Sequence, residues 1–200
     1  MNPLNEKEFD SIFSNKTKEV LAIISNCQAE SKRLVYIQEL AKFINITKVG
    51  LCFNKRISTE TEENLMNSHF FVIAFENILC RDYVTEKFWR IEKNIVPIVL
   101  RRSYVMQKAP DSAFVAADDF ENPQKMAEYL TAHMRKDEYR KFFAYRNTHY
   151  KVQVDGFCNL CRDLHFNNVS SSSKLNMRQY YSASTECEWG TARTLLLNEH

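Results

Sequence analysis

The sequence predicts an α/β domain of Rossmann-like, three-layer build, and three observations carry that expectation. Apolar runs with the β-branched and aromatic content of strands alternate along most of the chain with amphipathic segments at helical spacing. Two of the runs, FFVIAF at 70–75 and IVPIVL at 95–100, flank a polar loop and a short helical pattern, which is the ~30-residue layout of a βαβ crossover. The composition, 44% hydrophobic and 26% charged, suits an ordinary core and carries no signature of disorder.

Taken in order, residues 19–25 (EVLAIIS) read as the first strand, ending in a polar loop at 26–30. Residues 31–44 place Leu34, Ile37, Leu40, Ala41 and Ile44 at helical spacing, an amphipathic helix for packing on a sheet, with Arg33 in its first turn. A short strand follows at 49–53, and 57–68, rich in Glu and Asn, reads as a polar loop and helix. After the strand at 70–75, Asp82 is placed to cap a helix over 84–93, whose Val84, Phe88, Trp89 and Ile91 share roughly one face. Beyond the strand at 95–100 come a short strand at 114–117, a turn at Asp118-Asp119 and a helix from Pro123 to about residue 134, with proline at its first position. An aromatic-rich helix is expected over 138–150. A four-serine run then opens a polar stretch with little periodicity, so the expected organisation is one domain over 1–166 and a poorly ordered polar tail over 167–200.

A chain of 200 residues suits one domain or a fragment of a larger protein. The formal charge of +2, with acids and bases interspersed, argues against nucleic acid as a partner. No run of about 18 apolar residues occurs, so no transmembrane segment is expected, and the polar start MNPLNEKEF does not read as a signal peptide. Those features alone suggest a soluble location. Six cysteines and the sequons Asn15-Lys16-Thr17, Asn45-Ile46-Thr47 and Asn168-Val169-Ser170 point instead to the secretory pathway.

In a parallel sheet the loop after a strand and the start of the next helix lie at the ligand edge. Tyr83, Glu86 and Lys87 fall at such a helix start. Free backbone N–H groups and the positive end of the helix dipole favour an anion there, and a phenol and a lysine add donors, so the unit reads as a phosphate grip.

Phe75-Glu76-Asn77, then Asp82-Tyr83-Val84-Thr85-Glu86-Lys87-Phe88, then Val96-Pro97-Ile98-Val99-Leu100 resemble, in order and spacing, the donor-binding signature of the α1,3-fucosyltransferases. The resemblance extends from about Lys16 to Leu164, through Ser25-Asn26-Cys27, Arg33, Asp118-Asp119-Phe120, Tyr129-Leu130 and Phe157-Cys158-Asn159-Leu160-Cys161. It implies the C-terminal, donor-binding half of a GT-B glycosyltransferase, with inverting transfer of fucose from GDP-fucose to a glycan hydroxyl in α1,3 linkage, the acceptor being a glycoprotein or glycolipid. It also implies the lumenal side of the Golgi membrane, reached through an N-terminal membrane helix that this chain does not contain.

By match to the family motifs, Arg33 and Lys87 are expected at the diphosphate, Tyr83 as a hydroxyl donor to the same group, and Glu86 as acceptor for ribose hydroxyls. Read without the motif, Arg33, Glu86 and Lys87 would be ordinary surface charges and Tyr83 a half-buried aromatic. Glu76 and Asn77, just past a central strand, are expected either as ligand contacts or as a loop-bracing pair, and Asn26 stands in the same relation to the first strand. No Asp-x-Asp motif occurs, so no metal is expected and the cations take its part. The resemblance puts the general base in an N-terminal acceptor domain, expected to be missing here, and no catalytic residue is nominated. The alternative is a non-catalytic nucleotide-sugar or partner-binding module.

Cys158-x-x-Cys161 leaves three readings open: an incomplete zinc site, a thiol-redox motif, or structural cysteines whose partners the resemblance places in the other domain. Cys27 and Cys52 follow two early strands and could pair; Cys80 and Cys187 have no evident partner. Departures from the family pattern include Arg101-Arg102 where glycines are common, Tyr145-Arg146 for Trp-Arg, Ala144 for an acid, Val49 for an aromatic, and a shortened loop before His69. The first of these makes the edge after residue 100 bulkier and more basic.

Overall fold

The computed structural model describes residues 4–81, 83–149, 156–166 and 187–197. Five parallel strands, β1 (Lys18–Ile23), β2 (Ile46–Val49), β3 (His69–Ile73), β5 (Val96–Val99) and β6 (Val115–Ala116), form a sheet in the order β2-β1-β3-β5-β6. Strand side chains alternate between faces, and the core divides accordingly. Val20, Ala22, Phe71, Ile73, Phe75 and Ile98 pack in one cluster with residues of α2 (Arg33–Leu40), α5 (Pro123–Ala132) and α6 (Lys136–Lys141). On the opposite face Leu21 and Val72 meet Met66 of α3 (Thr59–Ser68), while Ala74 and Val99 meet Phe88 of α4 (Glu86–Trp89). This is the three-layer α/β arrangement that the sequence predicts.

Differences from the sequence expectations have local causes. A helix, α1 (Glu6–Ser14), precedes β1 where none is expected, closed by a capping box in which Glu8 N donates to Asn5 Oδ1 at 2.9 Å and Asn5 N donates to Glu8 Oε2 at 3.1 Å. Its Phe9 packs against Tyr139 and Phe143. The strand expected at 49–53 lies earlier, because Gly50 turns the chain with φ +107, and a Cβ there would sit 2.3 Å from the Ile24 carbonyl oxygen. Leu51–Phe53 wind instead into a 3₁₀ turn; Cys52 N donates to Ile24 O at 3.1 Å, and Cys52 is disulfide-bonded to Cys27. The helix expected over 138–150 is α6 followed by a separate 3₁₀ turn, Ala144–Asn147. Tyr139 and Phe143 belong to one core cluster and Tyr145 to the other, two directions that one straight helix could not serve.

A second, two-stranded sheet was not foreseen. It pairs β4 (Leu79–Cys80), inside the loop after β3, with β7 (Cys187–Glu188), and Cys80 is cross-linked to Cys187. Next comes α8 (Thr191–Leu197), whose Ala192 and Leu195 are buried in the cluster shared with α2. The last part of the expected polar tail is therefore docked; the four-serine run and the Asn168 sequon lie outside the described residues. Asn15 and Asn45 are exposed. Cys158 and Cys161 are exposed on α7 (Gly156–His165) and belong to neither disulfide. Among the described residues no helix is long and apolar enough to cross a membrane.

Lys16 is buried between α1 and β1, its Nζ donating to Met66 O at 2.9 Å, and burial lowers its pKa to about 7. From about pH 7 to the unfolded value of 10.5, the unfolded chain holds a proton that the folded chain has released. Stability should therefore rise with pH across that window. Urea unfolding at pH 7 and pH 9.5 is expected to show a gain of ~1–3 kcal/mol that Lys16→Met largely abolishes. Gly50→Ala is expected to cost ~2 kcal/mol or more in the same assay, since the backbone carbonyl it meets cannot move aside cheaply.

Candidate functional site

The strand order reverses between β1 and β3: the chain leaves β1 for β2 on one side and β3 for β5 on the other. Loops that diverge from neighbouring parallel strands open a crevice at their C-terminal ends, where ligands of doubly wound sheets bind. The residues expected at the site lie on these two loops and on the elements that follow them.

Arg33 opens α2 and is only 2% exposed, in contrast to the surface charge its helical position suggests. Its Nη1 donates to Phe75 O at 2.7 Å and its Nη2 to Asn26 O at 3.0 Å, tying the ends of β3 and β1 together. Burial pulls its pKa down from the usual value, against the charges of Glu76 and Tyr83, which hold it up. Its Nε is buried without a hydrogen-bond partner among the described residues, and so is Oδ1 of Asn77. Asn26 itself is exposed, and its Oδ1 accepts from Gln28 N at 3.0 Å in an Asx turn.

Glu76 is a brace. Its Oε1 accepts from Thr85 N at 2.8 Å and Thr85 Oγ1 at 2.7 Å, and its Oε2 accepts from Lys87 Nζ at 3.0 Å. Lys87 Nζ also donates to Thr85 Oγ1 at 2.8 Å and to Glu86 Oε1 at 3.4 Å. Side chains of Lys87 and Glu76 are 16% and 11% exposed, so the pair is largely shielded from water. Glu86 is open to solvent; burial alone would raise its pKa, but its backbone hydrogen bond and the nearby Lys87 and Thr85 outweigh that and hold it low. Tyr83 is half-buried, with its N donating to Cys80 O at 3.1 Å.

Two expectations need correction here. The helix expected over 84–93 begins at Glu86 with Thr85 as N-cap, and after four residues gives way to a 3₁₀ turn, Arg90–Lys93. Asp82, expected as its cap, lies outside the described residues. So short a helix adds little dipole, and side chains must supply the field at this edge. Asp118 and Asp119 serve the turn expected of them: Asp118 Oδ1 accepts from Arg102 N at 2.9 Å, and Asp119 pairs with the Arg102 side chain. Among the described residues no group of three or more His, Cys, Asp or Glu could hold a metal.

Sequence reasoning missed Ser31 and Thr85. Ser31 is fully buried; its Oγ donates to Glu76 O at 2.7 Å and its N to Asn77 O at 2.8 Å, so it clamps the loop after β3 onto the loop after β1. Nothing in its sequence position announces that role. Thr85 lies inside the Tyr83–Lys87 block, where the motif assigns it no role.

Fold and site together define a doubly wound α/β domain with a cation-bearing crevice at its topological switch point. Residues 13–180 match the profile of glycosyltransferase family 10 (fucosyltransferase) C-term, and the chain belongs to that family. It is 35% identical over 172 residues to glycoprotein 3-alpha-L-fucosyltransferase A of Drosophila melanogaster, covering 81% of this chain and 34% of that protein. It is 31% identical over 169 residues to alpha-(1,3)-fucosyltransferase fut-1 of Caenorhabditis elegans, covering 76% of this chain and 39% of the relative. The chain thus spans between a third and two-fifths of the length of these curated relatives. A crystal structure of an α1,3-fucosyltransferase with GDP-fucose aligns at a TM-score of 0.61 and 18% identity, over 80% of this chain and 49% of that one, a likeness of fold.

Glu76→Gln is expected to lower stability by ~1–3 kcal/mol in chemical denaturation, because Lys87 would be left with only the solvent-exposed Glu86 carboxylate at 3.4 Å. An unchanged midpoint would show that the brace does not hold the loop.

Proposed function

We propose that the crevice binds the diphosphate of a nucleotide sugar, and that the chain is the donor-binding part of a GDP-fucose-dependent α1,3-fucosyltransferase acting on a glycan hydroxyl. The observation that carries this reading is the pair of unpartnered buried polar atoms, Arg33 Nε and Asn77 Oδ1, beside the Lys87–Glu76–Thr85 cluster at the switch point. An unsatisfied buried polar group costs ~1–3 kcal/mol, a cost that a ligand can relieve. The family and the matched motifs supply the identity of the ligand.

In this reading Lys87 and the Tyr83 hydroxyl contact the diphosphate, Glu86 accepts from ribose hydroxyls, and Asn26 and Asn77 line the loops between them. Arg33 fixes both loops through Nη1 and Nη2 and leaves its unpartnered Nε for the diphosphate. When the sugar–oxygen bond breaks, negative charge grows on the diphosphate leaving group, and cations preset at that place stabilise it without a metal. The chain spans a third to two-fifths of the length of its curated relatives, and this reading assigns neither a general base nor acceptor contacts to its residues. The two disulfides, Cys27–Cys52 and Cys80–Cys187, support an oxidising, lumenal compartment such as the Golgi.

A second reading, a nucleotide-sugar-binding module without turnover, draws on one observation: Lys87 is already neutralised by Glu76, and Arg33 already engages backbone carbonyls. Calorimetric titration of GDP into this chain tests the premise that both readings share, and an assay for fucose transfer by the chain fused to the N-terminal part of a curated relative separates them. GDP binding with transfer by the fusion supports the first, GDP binding without transfer supports the second, and absence of GDP binding sinks both. Lys87→Ala is expected to weaken GDP binding about tenfold or more, the loss of a charge-assisted hydrogen bond.

A further inference from the structure

A third parallel strand, β5, also ends at this edge, and it runs into Arg101-Arg102. The guanidinium of Arg102 is engaged by Asp119 and Asp111. Arg101 differs. Its Nε donates to Glu188 Oε2 at 2.6 Å, and among the described residues that is the one hydrogen bond of a side chain that remains 30% exposed. Both terminal nitrogens are left to offer, in the planar fork that matches phosphate oxygens.

Glu188 is in turn held in place. Its Oε1 accepts from Tyr104 Oη at 3.2 Å and its Oε2 also accepts from Thr191 Oγ1 at 3.3 Å. Its backbone pairs with Leu79 on β4, and the adjoining Cys187 is cross-linked to Cys80. The segment then reaches the loop after β1, where Gly190 N donates to Glu30 O at 2.9 Å and Ala192 N to Ser31 O at 3.0 Å. Ser31 is the residue that clamps Glu76 and Asn77. One short stretch, 187–192, therefore fastens the loops after β1, β3 and β5 to one another, and its carboxylate secures Arg101 by the inner nitrogen alone.

We propose that Arg101 is a further anion-contacting residue of this crevice, taking a phosphate group of a nucleoside diphosphate, and that Glu188 is its positioning residue. The nature of the ligand rests on the nucleotide-sugar reading above; the anion site at Arg101 can fail or stand apart from it. A guanidinium fixed at Nε loses less rotamer freedom when phosphate arrives, which is how a carboxylate neighbour can strengthen anion binding rather than compete with it.

The test is calorimetric titration of inorganic pyrophosphate and of GDP into the wild-type chain and the variants R101A, R101K, E188Q and K87A, with melting temperatures measured alongside. R101A is expected to weaken both ligands about tenfold at an unchanged melting temperature, and R101K to recover part of the loss. The salt dependence of binding should become shallower in R101A, because one fewer charge engages the ligand, which a purely structural role would not produce. E188Q should weaken binding several-fold. Wild-type pyrophosphate affinity in R101A, or no pyrophosphate binding by the wild-type chain, overturns the proposal; wild-type affinity in E188Q overturns the role of Glu188. Pyrophosphate binding that depends on Arg101 without GDP binding would uphold this inference while the nucleotide-sugar reading falls, and normal binding by K87A would fault the Lys87 grip alone.

Discussion

The crevice depends on where one buried guanidinium sends its hydrogen bonds. Arg33 is as inaccessible as the aliphatic core around it, and a charge so placed persists only if its donors find oxygen. The acceptors available are the carbonyls of Phe75 and Asn26, at the ends of β3 and β1. Satisfying Arg33 therefore dictates the spacing of the two loops that diverge at the switch point. Ser31, two residues earlier on the same strand of chain, adds a parallel restraint through Glu76 and Asn77. Lys32 between them adopts φ +57, the left-handed turn that lets both neighbours face inward.

With those loops fixed, the electrostatics of the edge follow from side chains rather than from a helix terminus. The α4 helix has four residues, and its N-cap Thr85 spends its backbone N–H and its hydroxyl on Glu76 instead of leaving them for an anion. Lys87 is brought to the same carboxylate. The motif that marks this stretch in sequence is thus a self-contained polar cluster in which the carboxylate organises the lysine. Residues 187–192 close the cluster from the far end of the chain, through the disulfide at Cys80 and the backbone bonds to Glu30 and Ser31.

Much of this was legible in the sequence because it depends on patterns of short range. Strand content at 70–75 and 95–100, helical spacing at 34, 37 and 40, and the Pro123 helix start all follow from side-chain periodicity and cap chemistry, and the parallel sheet follows from their alternation. The motif puts Glu76, Asn77 and Lys87 near one another, and the structure joins Lys87 to Glu76 directly while Asn77 is held through its backbone by Ser31. What escaped depends on long-range contacts. The burial of Arg33 requires knowing that β3 ends beside β1, and Ser31 is a clamp only because Glu76 lies above it. The partnership of Cys80 with Cys187, and the docking of α8 on α2, join residues separated by more than a hundred positions or by chain of little periodicity. The helix at 6–14 is a different case: its capping box was present in the sequence and readable.

The ion pair between Lys87 and Glu76 bears on how such a crevice could favour departure of a diphosphate over its mere retention. Glu76 keeps the largely shielded lysine from standing as an uncompensated charge. Under the proposed reading, the incoming diphosphate must compete with that carboxylate for Lys87, which moderates binding in the ground state. As the sugar–oxygen bond lengthens, the diphosphate gains negative charge while Glu76 does not, and the balance at Lys87 shifts toward the ligand. An interaction that strengthens only as charge develops lowers the barrier instead of deepening the bound state, which is the condition for catalysis by differential binding. In the same proposed reading the carboxylate reclaims the lysine when the nucleotide leaves, so the pair that tempers binding also favours release.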